Sequence, residues 1–267
     1  MSNTTALLTL SRRRMTLSAH TPREVVVPLV TPVLFALVIA PALGSVVGTL
    51  HGGIDYMTFI ALATVGLLIP INTMFSGVGV IVDRQAGAQR ELLTAPMRRQ
   101  LIPLSNLTVA VMLTALQIVV LVGAAALRGA KFNVDGSGIL WFVGAVLFLT
   151  IGMYGIAETL ANRAPSQESY IGAVPAIAIV PWFFAGSLFP ITTLPTGLLV
   201  IAKVLPLTHA LALIRYAFLD HRGTGLHDIW GLSNTTEMAA LSLGVVALFA
   251  ILTTILSVRV FSRSVLQ

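Results

Sequence analysis

The residues able to do covalent or acid–base chemistry are few and scattered. The chain has no cysteine, which removes disulfides, thiolate metal sites and cysteine nucleophiles together. Its five histidines, His20, His51, His209, His221 and His227, are dispersed. Only His221 and His227 are near neighbours, in a stretch that reads as a loop, where solvated side chains explain them better than a metal site. No G-x-x-x-x-G-K-[ST], H-E-x-x-H or G-x-S-x-G segment occurs, so phosphate-loop, zincin and nucleophile-elbow chemistry are not indicated. No catalytic residue and no metal site is expected.

What remains is a small set of polar groups inside apolar runs, where ionisable residues are costly. Glu158 stands near the end of one run, where snorkelling or pairing with Arg163 accounts for it, and a proton-carrying role is the alternative. Glu237 opens another run. Asn72, Thr73 and Ser76 interrupt a third, with Phe75 between them; Gln117 and the aromatic run Trp182–Phe184 mark two more. Such groups must find partners in lipid, so these faces point into a bundle, a seam between subunits or a cavity.

The elements that hold these residues are set by composition. The 267 residues are 56% hydrophobic and only 10% charged, with a mean hydropathy of +0.93. Soluble domains carry about 25% charged residues, so a soluble globular enzyme is excluded. About 20 mostly apolar residues cross a bilayer core. Six spans are expected near 25–50, 56–82, 101–127, 139–161, 170–189 and 238–258. The fifth run is broken by Pro175, Pro181, Pro190 and Pro195. The stretch 190–222 carries Lys203, Pro206, His209 and Arg215 and is too polar to face lipid alone, so it reads as a re-entrant helix pair packed on protein. The fold class is therefore an all-α membrane protein forming one transmembrane domain over 1–267, with residues 1–24 as a basic tail or interfacial helix. The first span is too long for a signal-peptide core, and cleavage there is not expected.

Charge sets the orientation. With the N-terminus inside, eleven of the sixteen basic residues fall on the cytoplasmic side: Arg12, Arg13, Arg14, Arg23, Arg84, Arg90, Arg98, Arg99, Arg163, Arg259 and Arg263. The positive-inside rule then places both termini in the cytoplasm. The net charge of +6 reflects those loops, and no nucleic-acid partner is implied. The segment Asp83–Pro96 follows the second span on that side. It reads as a loop and then a short amphipathic helix over 86–96, charged on one side with Leu92 and Leu93 on the other, stopped by Pro96. Such an element between two spans suits docking to a soluble partner, although a solvated connection fits as well.

The segment D-R-x-x-G-x-x-x-x-L-L-x-x-P at Asp83–Pro96 resembles a signature of the type-2 permeases of ATP-binding cassette exporters. The second half agrees: Ala185-Gly-Ser-Leu-Phe-Pro-Ile-Thr-Thr-Leu-Pro195 and Leu205-Pro-Leu-Thr-His-Ala-Leu-Ala-Leu-Ile-Arg215 are similar to that family's S-G-x-x-F-P-x-x-x-L-P and N-P-L-T-x-x-x-x-x-x-R. Leu205 replaces the usual asparagine, which puts capping of that helix in question. Drug-exporter and nodulation-factor permeases are the nearest in character.

The resemblance implies a permease subunit that binds no cofactor itself. ATP and Mg would sit on a separate ATPase present in two copies, beside a second permease chain as homodimer or related heterodimer, in the lipid of the cytoplasmic membrane. Arg84, Gln89, Arg90, Glu91, Leu92, Leu93 and Pro96 would form the ATPase interface. Asn72, Phe75, Trp182 and Phe183 would line the route between two chains, and Pro206, His209 and Arg215 would belong to an outer lid, where Arg215 needs a carboxylate or carbonyl partner. The cargo would be an amphipathic drug, lipid or lipid-linked glycan. A proton-coupled carrier without an ATPase is the rival reading.

Overall fold

The structure is a computed structural model that describes residues 3–20, 22–50, 53–87, 94 and 100–264. Among these, the chain is almost wholly helical. Helix α1 (Asn3–His20) precedes the first long segment, which is α2 (Pro22–Leu34), a π-helical turn (Phe35–Ile39) and α3 (Ala40–Val47) in succession. A two-residue hairpin, β1 (Thr49–Leu50) with β2 (Ile54–Asp55), occupies what the hydrophobic run alone assigns to the end of the first span. Then come α4 (Tyr56–Gln85), α5 (Leu101–Leu127) and α6 (Gly136–Arg163). The proline-rich segment forms α7 (Gln167–Val174), a second π turn (Pro175–Ile179) and α8 (Val180–Phe184). Helices α9 (Thr196–Val204) and α10 (Pro206–Phe218) follow, then α11 (Thr224–Trp230) and α12 (Thr235–Ser264).

Five of these helical segments, Leu29–Val47, Tyr56–Gln85, Leu101–Leu127, Gly136–Arg163 and Thr235–Arg263, are each long and apolar enough to cross a membrane. The α9–α10 pair is apolar enough as a unit but bends by 77° at Leu205, because Pro206 opens the second helix and Leu205 is extended. That bend is the broken pair expected over 190–222; the short α11 after it is an element the hydropathy pattern does not signal. The fifth segment ends at Phe184 rather than near Phe189, since Ala185–Phe189 turns through Gly186 at φ +76°.

Local chemistry starts these helices where they start. The Asp55 carboxylate accepts from the Thr58 backbone N–H at 2.8 Å, Asp135 accepts from the Gly138 N–H, and Ser166 accepts from the Ser169 N–H at 3.2 Å. Each satisfies a backbone donor that the first helical turn leaves open. Leu205 offers no side-chain cap to α10, and Pro206 at the first position, lacking an N–H, reduces what must be capped.

Helix α4 is the central element: every residue from Thr58 to Met74 is buried. A helix apolar on all sides is one enclosed on all sides. It packs on α2, α3, α5, α6, α7 and α10. At the periphery, α12 turns Leu248, Ile251, Leu252 and Ile255 outward, as a lipid-facing stripe should. Helices α6 and α12 approach closely through Gly152 and Gly155; a Cβ at Gly155 would stand only 2.7 Å from the Thr253 carbonyl carbon. Small residues at membrane helix crossings allow that approach.

Candidate functional site

Most of the residues expected to be functional fall at two ends of the bundle. The first is where α4 and α6 terminate. Arg84 reaches across to the C-terminus of α6, donating from Nη1 to the Ala161 and Asn162 carbonyls at 3.0 and 3.3 Å and from Nη2 to the Ala164 carbonyl at 2.8 Å. Carbonyls at a helix C-terminus lack intrahelical partners and carry partial negative charge, so a guanidinium there satisfies both needs. Arg84 thus ties the root of the 86–96 segment to the turn between α6 and α7. Gln89, Arg90, Glu91, Leu92, Leu93 and Pro96, the other residues expected at an ATPase interface, lie outside the described residues.

Beside this clamp, Arg14 of α1 enters the bundle. Its Nη1 is 3.8 Å from an Asp83 carboxylate oxygen, and a Cβ at Gly79 would collide with its guanidinium. The N-terminal helix is therefore a packed part of the bundle: Ala6 and Leu10 bury against Leu101 at the start of α5.

Glu158 departs from the expectation of an interfacial or Arg163-paired carboxylate. It is 1% exposed; the Tyr154 hydroxyl donates to Oε2 at 2.8 Å and the Asn162 amide to Oε1 at 3.0 Å. Arg163 is exposed. Residues four apart share one helix face, so Tyr154, Glu158 and Asn162 form a continuous polar stripe turned inward.

The four residues expected along a transport route separate. Asn72 donates to the Thr114 hydroxyl at 2.5 Å across the α4–α5 seam. With Phe75, Arg14 and Asn106 it lines a crevice of about 20 Å³, room for little more than a water molecule. Trp182 is 1% exposed; its Nε1 donates to the Ala63 carbonyl at 2.8 Å and Phe35 meets it edge-on at 5.4 Å. It fastens α8 to α4. Phe183 alone of the four faces outward, at 45% exposure.

The second end gathers the expected lid residues. The Arg215 guanidinium donates to the Gly186 carbonyl at 2.7 Å and the Ser187 carbonyl at 2.9 Å, and its central carbon lies 3.4 Å from the Phe59 ring centroid. Carbonyl partners, rather than a carboxylate, hold it. His209 is buried, with Nε2 2.9 Å from the Lys203 carbonyl and Nδ1 3.2 Å from the Ser242 hydroxyl. Trp230 Nε1 donates to the same hydroxyl at 2.8 Å. His209 therefore locks α10 to α12 and to the end of α9, and Pro206 sets the bend between α9 and α10. Tyr56 also belongs here, its hydroxyl donating to the Leu188 carbonyl at 2.8 Å.

Some participants have no place in the sequence reading. Tyr154 and Asn162 were discoverable, standing four residues either side of Glu158. Arg14, which the sequence marks only as a cytoplasmic charge, and Tyr56 carry no local signal of these contacts, which depend on distant elements.

Comparison with known proteins fits this geometry. The family description "ABC-2 type transporter" matches residues 5–219. Among curated relatives, Nodulation protein J of Sinorhizobium fredii (strain NBRC 101917 / NGR234) is 24% identical over 84% of this chain and 80% of its own length. Inner membrane transport permease YadH of Escherichia coli (strain K12) is 26% identical over 78% of each. The putative transport permease ycf38 of Porphyra purpurea is 28% identical over 54% of this chain, which spans only about half (49%) of that relative. The match across 5–219, over a helical bundle with a sharply bent helix pair, makes this chain a multi-pass membrane protein of the ABC-2 type transporter family.

Proposed function

We propose that the chain is the permease subunit of an ATP-driven exporter moving an amphipathic drug, lipid or lipid-linked glycan across the cytoplasmic membrane. The carrying observation is the family match through residue 219. ABC-2 permeases ordinarily pair with an ATPase subunit, and the Arg84 clamp supplies a physical path for coupling. Motion delivered to the 86–96 segment would pass through Arg84 into the α6–α7 turn and along α4, the most enclosed helix. ATP and Mg would bind the partner, in two copies, against two permease chains. Both termini would be cytoplasmic. Such coupling needs two global states whose balance ATP shifts by differential affinity.

The test is purification of the tagged chain in mild detergent from its native host, with mass spectrometry of associated proteins. A stoichiometric partner containing a P-loop supports the proposal, and a second six-span chain would mean a heterodimer. A chain that stays alone with ATP added overturns it. The buried Glu158 with its two donors then favours a proton-coupled carrier, tested by whether Glu158→Gln abolishes gradient-driven uptake.

A further inference from the structure

At the end of the bundle away from Arg84 and α1, a pocket of about 560 Å³ opens between the start of α4, the 185–193 turn, α10 and α11. That volume is in the range of about 300–1,000 Å³ typical of small-molecule sites. Phe59, Phe189, Pro190 and Ile191 supply much of its apolar lining, and α11 supplies Thr224, Gly225 and Asp228.

The charged groups in this lining differ in what they have left to offer. Arg215 donates to the Gly186 and Ser187 carbonyls and lies against the Phe59 ring, and its remaining Nε is buried. Asp220 accepts from the backbone N–H groups of Arg222 and Thr224 at 3.1 and 2.9 Å and from the Thr224 hydroxyl. Asp228 is half-buried and, among the described residues, has neither a hydrogen bond nor an ion pair. Lys203 and His227 are its charged neighbours, but neither stands within ion-pair distance and neither lines the pocket. A carboxylate partly withdrawn from water beside an apolar surface gains most from a partner of opposite charge.

The way α11 returns along α10 keeps Arg215 away from that carboxylate. A Cβ at Gly225 would lie 3.6 Å from the Ala212 Cβ, which sets the register of the two helices. Arg215 follows Ala212 by three residues and Asp228 follows Gly225 by three, in opposite directions. At about 1.5 Å per residue the two charges stand roughly 9 Å apart along the helices. That Lys203, just before α10, is a neighbour of Asp228 agrees with this direction. The pocket is therefore polarised, with its cation engaged at one end and its unpartnered carboxylate at the other.

We infer that this pocket binds a cationic amphiphile, an amine or quaternary ammonium on a hydrocarbon body, with the head against Asp228 and the body against Phe59, Phe189 and Ile191. The site lies within one chain. It requires neither an ATPase nor a second permease, so its test stands apart from that of the exporter reading.

The purified chain in phosphatidylcholine nanodiscs is photolabelled with dodecylamine carrying an aryl diazirine at the far end of its chain, and labelled peptides are mapped by mass spectrometry. Saturable labelling concentrated in 185–193 and around Phe59 is expected. Unlabelled dodecylamine and dodecyltrimethylammonium should displace it, and dodecanol, laurate or methylamine at the same concentration should not. Asp228→Asn, nearly isosteric, should weaken apparent affinity about 10-fold or more, the size of one lost charge-assisted contact, and Asp228→Glu should restore part of it. Thr192→Trp, at an exposed lining position, should block labelling by occupying the mouth. Dodecanol or laurate competing as well as dodecylamine would reduce the site to an apolar crevice and overturn the inference. Methylamine competing equally would make it a small-cation site, with the same consequence. Unchanged affinity in Asp228→Asn would remove the carboxylate from the site and overturn the inference too. Labelling spread over Leu248, Ile251 and Ile255 and unchanged by Thr192→Trp would place the probe in bulk lipid and end it likewise.

Discussion

Arg84 holds the Ala164 backbone carbonyl at 2.8 Å, so the last turn of the second long helix is bolted to the point where the fourth ends and the fifth begins. The contact joins segments 80 residues apart in sequence, and it stands at the root of the segment expected to meet an ATPase. It gives the Arg84 position a mechanical meaning separate from direct docking.

Replacing Arg84 tests that meaning. Arg84→Ala removes charge-assisted hydrogen bonds worth about 1.5–3 kcal/mol in favourable settings, and leaves helix C-terminal carbonyls without their donor. The expected outcome is an inserted, correctly assembled permease in which transport-linked ATP turnover falls about 10-fold or more, an effect of roughly 1.4 kcal/mol or greater. Arg84→Lys keeps charge but loses the fork and should recover only part of the coupling. Glu91→Arg would reverse a charge expected at the ATPase interface and should abolish coupling without changing Arg84. Full coupling in Arg84→Ala would remove the clamp from the mechanism.

Trp182 and its neighbour Phe183 should behave oppositely. Trp182→Ala empties a fully buried site and removes the bond to the Ala63 carbonyl; large aromatic truncations cost about 3–5 kcal/mol. The midpoint of thermal unfolding in detergent should fall by several degrees. Phe183→Ala, at an exposed position, should leave that midpoint within error while altering transport or association between chains. Equal destabilisation by both would refute the division between an inner fastener and an outward contact.

Two carboxylates outside the spans give opposite pH dependence. Burial pushes the Asp228 carboxyl above its ordinary range. The folded state therefore holds a proton more tightly than the unfolded chain, and stability falls as pH rises from the unfolded value through the raised folded one. The Gly138 N–H, and to a lesser degree the Ser137 hydroxyl, hold Asp135 below its ordinary range. Its contribution is present above the unfolded value and disappears as pH falls through the lowered one. In melting curves between pH 3 and 7, Asp228→Asn should remove the loss on the alkaline side of its window, and Asp135→Ala should flatten the acid limb. Unchanged profiles in both variants would contradict these assignments.

How much of this was legible in the sequence depends on the range of the interaction. The long helices follow from apolar runs, and the bend at Leu205 follows from Pro206 after a polar-spotted stretch; both are local. The end of the fifth segment at Phe184 was not legible, because Gly186 turns the chain while the residues to Phe189 stay apolar. For Glu158 the sequence signals the helix but not the partners, which are Tyr154 and Asn162 and not Arg163. Arg163 lies five residues on, off the inward face that Glu158 shares with Tyr154 and Asn162, so the partners are the i−4 and i+4 neighbours on that face. Trp182 and Asn72 were singled out by type, but only tertiary packing shows that one fastens α8 to α4 and the other crosses a helix seam. Arg215 was the clearest success of chemistry over pattern, since an arginine in an apolar hairpin must find carbonyls or carboxylates, and it finds Gly186 and Ser187.

The orientation of the bundle can be decided directly, and the absence of native cysteine leaves a clean background. Ala88→Cys places a thiol in the segment expected on the cytoplasmic side. For the other end Gly223 is a poor choice: its φ is +68° and a Cβ there would meet Thr235 at 2.5 Å, so labelling would report strain as well as sidedness. Arg222, adjacent and exposed, avoids both problems. In intact cells a membrane-impermeant maleimide should modify Arg222→Cys and leave Ala88→Cys untouched; in inverted vesicles the pattern should reverse. The positive-inside rule favours this outcome, since eleven of the sixteen basic residues are expected on the Ala88 side. The opposite pattern would put residues 86–96 outside the cell, out of reach of any ATP-hydrolysing partner, and would leave Arg84 as a packing contact only.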